Sequence, residues 1–198
     1  MTAGARGGGA PPRDYGPAVG EPPPLVDPRR WGSLIGLAGG LLFVVSYSPP
    51  LGAAISVIAW VIGVGGVLTA LFAHYVRPSA LGPLSRPRPV ALLVYGVCVV
   101  GELALIAAGS RVLDAVGRGE LRPSLIAAVV GAHFLPFAWA FGEAMFFTLG
   151  GLVAGLGVVG LVLGALGVPD AAEALAVLAG LAMIAVIVRY ALGGWART

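Results

Sequence analysis

The sequence predicts an all-α bundle of six transmembrane helices, and three observations predict it. Of 198 residues, 58% are hydrophobic and only 11% are charged, with a mean hydropathy of +0.96. A soluble domain usually carries charge on about a quarter of its residues. The few charges are also unevenly spread, with none from Trp31 to Val76 and none from Ala144 to Pro169. A bilayer core roughly 30 Å thick is crossed by about 20 helical residues, so these runs match spans and would leave a soluble fold without a wet face. Finally, prolines and arginines cut the apolar sequence into pieces of span length.

Residues 1–28 read as a separate, disordered tail rich in proline and glycine. Gly7-Gly8-Gly9, Pro11-Pro12 and Pro22-Pro23-Pro24 stand among Arg6, Arg13, Asp14 and Glu21, with too little apolar surface to offset the entropy of ordering. The tail is not a secretory signal, because the apolar segment starts only at residue 31. Arg29-Arg30 before it superficially resembles a twin-arginine signal, but no A-x-A cleavage pattern follows within that run. The transmembrane domain then occupies residues 29–198. Helix 1 is expected over 31–47. Pro49-Pro50 closes it, since proline lacks a donor and restricts the residue before it. Helix 2 spans 51–75, followed by a polar connector with Arg77, Arg86, Arg88 and several prolines. Helix 3 covers 90–109 and ends at Arg111. A second connector holds Asp114, Arg118, Glu120 and Arg122. Helix 4 covers 124–141, helix 5 covers 144–167 after the Gly142-Glu143 turn, and helix 6 covers 171–192 after Pro169-Asp170.

All twelve basic residues are arginine, and lysine, asparagine and glutamine are absent. With 32 glycines and 16 prolines this composition suggests the coding bias of a high-GC bacterium, and hence a multi-pass protein of the bacterial inner (plasma) membrane. If both termini are cytoplasmic, Arg6, Arg13, Arg29, Arg30, Arg77, Arg86, Arg88, Arg189 and Arg197 lie inside. Only Arg111, Arg118 and Arg122 lie outside. The positive-inside rule therefore favours N-in, C-in. Trp31, Tyr75, Tyr190 and Trp195 would then anchor the inner interface and Tyr47 the outer, with Arg189 snorkelling inward. The net charge of +3 does not indicate nucleic acid, because no basic stripe with stacking aromatics occurs. The expected partners are the lipid bilayer and other membrane proteins, a second copy of this chain included. Cys98 is the only cysteine, which rules out an intramolecular disulfide and a cysteine zinc site.

Glycines recur at four-residue spacing: Gly32, Gly36 and Gly40 in helix 1, then Gly151 and Gly155, and Gly160 and Gly164, in helix 5. Small residues so spaced share a helix face and let backbones approach closely. Packing within one subunit is the plainer reading, and a dimer seam the alternative. Two polar residues stand inside spans. Glu102 is expected about 10 Å below the outer end of helix 3 at 1.5 Å per residue, where a carboxylate is expensive and should face the bundle interior. Tyr95, Cys98 and Glu102 share a face at i, i+3 and i+7. His133 is expected mid-helix 4, about 15 Å from the outer surface. Pro136 three residues on cannot donate to the carbonyl of Ala132, so a helix kink and a freed polar group are expected beside the imidazole. Antiparallel neighbours would put Glu102 and His133 at similar depth. A proton or cation site and a purely structural contact both remain open.

The stretch Val130-Gly131-Ala132-His133-Phe134-Leu135-Pro136-Phe137-Ala138, with Phe146-Phe147-Thr148-Leu149-Gly150 after it, resembles a V-G-x-H-F-x-P-x-A signature. That signature occurs in a group of small, uncharacterised bacterial integral membrane proteins. The resemblance covers helices 4 and 5, about a quarter of the chain. It implies a multi-helix membrane protein with His133 and Pro136 in the defining motif, and it brings no activity. The group often has a basic residue and a proline in the following turn, whereas Gly142-Glu143-Ala144 stands here.

Enzyme signatures are missing. There is no H-E-x-x-H, no G-x-S-x-G and, without lysine, no Walker A. His74 at the inner end of helix 2 and central His133 lie at different depths, which argues against a bis-histidine haem. No cofactor and no metal are expected. The residues favour a non-enzymatic membrane protein, either a small solute or proton-coupled permease or an accessory subunit. The rival is an assembly partner packing through glycine faces, and an intramembrane enzyme ranks third. A permease predicts a hydrated cavity reaching Glu102, and a scaffold predicts a sealed bundle with an exposed glycine groove.

Overall fold

A computed structural model describes residues 22–81 and 89–195. Six helices among them are long and apolar enough to cross a membrane, and no strand occurs among the described residues. The first, α1 (Pro28–Tyr47), starts earlier than the first apolar residue, because Asp27 caps it. The Asp27 carboxylate accepts from the Arg29 backbone N–H at 2.9 Å, and Pro28 occupies a position whose N–H would have no partner. Residues 1–21 of the expected tail lie outside the described residues. Its last part is corrected: Asp27 is fully buried in the protein, and Trp31 donates from its indole to the Leu25 carbonyl at 3.0 Å. The buried cap binds this end of the tail to the bundle.

The double proline forms a 3-10 turn, Pro49–Leu51, and Gly52 at φ +97° takes a backbone conformation that a side chain would strain. Ser56 donates to the Ser48 carbonyl and Trp60 to the Ser48 hydroxyl, both at 2.8 Å, which ties the turn to α2 (Ala53–Leu71). Its last turn widens into a π-helix, Phe72–Val76. Next, α3 (Pro89–Ala115) is longer than the apolar run suggested and passes through Arg111 and Asp114. A helix does not have to stop where the hydrocarbon does. Asp114 pairs with Arg122 across the connector between α3 and α4, and Arg118 donates to the Gly164 carbonyl at 2.8 Å. After a 3-10 turn at Gly119–Leu121 come α4 (Arg122–Phe141), α5 (Met145–Ala165) and α6 (Ala171–Ala191).

The most buried span is α6, which packs against α1, α2, α4 and α5, whereas α3 lies at the edge and packs on α4. Glycines decide the close seams. A methyl group at Gly40 would stand 2.9 Å from the Gly180 carbonyl oxygen of α6, and Gly36 faces Ile187. Between α4 and α5 the contact is backbone to backbone: a Cβ on Gly131 would collide with Ala154, and one on Gly157 with Ala128. Gly160 meets Ser124 and Leu175, and Gly164 meets Leu121. Lipid offers no hydrophobic drive between helices, so such close approach is a principal source of attraction. Three of the expected packing glycines do not pack within the described subunit. Gly32, Gly151 and Gly155 have open space where a Cβ would stand, because the inward face of α5 runs through Gly150, Val153, Gly157 and Gly160.

Candidate functional site: an intramembrane acid–imidazole contact

Glu102 is the midpoint of α3 (Pro89–Ala115), about 20 Å from either helix end at 1.5 Å per residue. It therefore lies deeper along its helix than the sequence reading placed it, because α3 runs on past Arg111. His133 lies centrally in α4. The two helices pack together, and Nδ1 of His133 stands 3.2 Å from Oε2 of Glu102, with both side chains largely covered. The distance is that of an ion pair, yet Nδ1 has no aligned hydrogen bond. The distance fixes proximity without a formed hydrogen bond.

Aromatic rings set the position of the imidazole. Phe134 lies 4.1 Å from it between centroids, and Phe137 meets it edge-on at 5.2 Å. Phe137 in turn contacts Phe141 and Phe146, and Phe146 stacks on Phe134. This phenylalanine wall stands on the α4–α5 hairpin, whose turn uses Gly142 at φ +68° to end α4. Pro136 is accommodated inside α4, which continues to Phe141. Tyr95 stacks on Phe137 at 5.5 Å, so a phenyl ring stands between it and His133. Cys98 is half-buried one turn from Glu102. Of the four expected polar residues, the fold brings Glu102 and His133 together, while Tyr95 and Cys98 flank them. An open apolar groove lined by Leu92, Gly96, Val100 and Gly101 runs along α3 beside this site.

A second polar cluster was missed in the sequence. At the end of the bundle where α1 begins and α6 ends, Arg30 is 2% exposed. Its guanidinium donates to the His74 carbonyl at 2.7 Å and the Ser79 carbonyl at 3.2 Å, and it lies 3.2 Å from the His74 ring nitrogen Nδ1. Asp27 accepts three bonds from the Arg29 guanidinium and lies 3.9 Å from that of Arg30. Arg29 also donates to the Leu81 carbonyl. Tyr190, expected as an interface anchor, is instead buried at 3% exposure with its ring edge-on to His74. Arg189 lies over the Trp195 ring at 4.9 Å. The missed signal was Asp27-Pro28: an N-cap acid followed by proline marks a helix start and puts Arg30 inside the first turn rather than before it. Among the described residues no group of three or more His, Cys, Asp or Glu side chains is arranged to hold a metal ion.

Fold and composition together define a multi-pass helical membrane protein with a largely covered acid–imidazole contact. Within it, residues 117–192 match a family of unknown function, DUF7010. The matched stretch takes in α4, α5 and α6, and so His133 and its phenylalanine wall, while Glu102 lies before it. Comparison with curated proteins and with solved structures gave no match.

Proposed function

We propose that this chain is a small non-enzymatic protein of the bacterial inner membrane, with both termini cytoplasmic, that works as a proton-coupled permease through Glu102 and His133. The observation that carries the reading is the 3.2 Å approach of an acid and an imidazole in the middle of two spans. Ionisable side chains at such depth are costly and characteristic of ion and proton pathways. Two groups this close titrate as a unit and can hold one proton between them. The test is proton flux into proteoliposomes under an imposed pH gradient, read with an enclosed pH dye. Wild type should dissipate the gradient faster than Glu102→Gln or His133→Gln. Equal rates in all three would reject the permease reading.

A second reading, an assembly partner of a larger membrane complex, is favoured by Gly151 and Gly155. Both sit on the outward face of α5 with open space beyond them, where another helix can approach closely. Gly155→Leu should then change the mass of the particle extracted in mild detergent while leaving proton flux intact.

A further inference from the structure

In the cluster at the start of α1, Nε2 of His74 and the hydroxyl of Tyr190 have no hydrogen-bond partner among the described residues. Both side chains are more than nine-tenths buried, at 0% and 3% exposure. Their rings are 6.4 Å apart between centroids, and they come from different helices, α2 and α6. The tautomer of His74 follows from its neighbour. A guanidinium only donates, so the Nδ1 that faces Arg30 at 3.2 Å must present its lone pair, and the ring proton sits on Nε2. That leaves a buried N–H donor on one ring and, on the ring packed edge-on against it, a hydroxyl that can both donate and accept. Buried polar groups are nearly always bonded to protein or to ordered water, and internal waters typically bridge two to four such groups. The backbone adds a further sign. His74 lies in the π-turn Phe72–Val76, a distortion found often at functional positions.

We propose that His74 and Tyr190 form a binding site for one internal water molecule, which accepts from His74 Nε2–H and bonds to the Tyr190 hydroxyl. The water joins the end of α2 to the end of α6 next to the Arg30 clamp. This site is separate from Glu102 and His133 and does not rest on the permease reading.

The experiment uses the full chain in lipid nanodiscs with 15N-labelled histidine. The chain has two histidines, so a His133→Gln sample assigns the His74 signal. His74 should appear as the neutral Nε2–H tautomer and receive magnetisation from water. In Tyr190→Phe that transfer should be lost, and the melting temperature should fall by about 3 °C, the scale of one lost buried bond in a chain of this size. A bridging water makes the hydroxyl stabilising, whereas a hydroxyl without a partner would be destabilising. A rise in melting temperature for Tyr190→Phe, or water transfer to His74 that persists unchanged in it, would overturn the proposal.

Discussion

At the scale of single residues, the side chains with the largest consequences are those buried with charge. Arg30 is enclosed by Asp27, His74 and the Ser79 carbonyl, so Arg30→Ala removes one partner and leaves the others buried. Loss of one member of a buried pair typically costs about 3–5 kcal/mol. This variant should show one of the largest falls in melting temperature of any single substitution in detergent; a change under a degree would mean that water reaches the cluster. Glu102 and His133 call for a cycle rather than single changes. Glu102→Gln and His133→Gln each strand the other group, so the double variant should be less damaging than the two losses added, by about 0.5–3 kcal/mol. Strict additivity would show that the 3.2 Å contact carries no energy. Both residues were legible in the sequence, because a charge or imidazole inside an apolar run is conspicuous. Asp27 and Tyr190 were not: one seemed to belong to a tail and the other to an interface, and only the packing of α1 against α6 encloses them.

At the scale of elements, the apolar runs marked all six spans, while their ends obeyed rules that hydropathy does not contain. A cap acid starts α1, a π-turn ends α2, and Arg111 does not stop α3. Glycine spacing identified seams without identifying faces. Gly36 and Gly40 were expected to pack and do so, whereas Gly151 and Gly155 share the same spacing and face outward. A period of four picks out a stripe on a helix, and only the neighbouring helix decides whether the stripe is covered. The contrast yields a paired prediction in detergent melting. Gly131→Ala places a methyl group against the Ala154 backbone and should destabilise by about 1–3 kcal/mol or more. Gly155→Ala meets nothing within the subunit and should leave the monomer's melting unchanged. A neutral Gly131→Ala would mean that α4 and α5 can separate freely.

For the whole molecule, the arginine distribution predicts where its ends lie. Reporter fusions after residues 80 and 198 should both read cytoplasmic, and one after residue 116 should read external. An external C-terminus together with a cytoplasmic signal at 116 would invert the arrangement. The layout described above also sets a timetable. Of the six described spans α1 is made before α6, yet α6 is the helix it packs on most closely, since Gly40 meets Gly180 and Arg30 lies against His74, whose ring meets Tyr190. Until residue 190 is made, Arg30 has to wait at the membrane surface with part of its enclosure missing, and α2 and α5 lack the helix they both lean on. Domains generally assemble as synthesis proceeds, but here α1 is completed only by α6. A nascent chain halted before α6 should therefore be inserted yet open to proteases, and should become resistant only when α6 arrives.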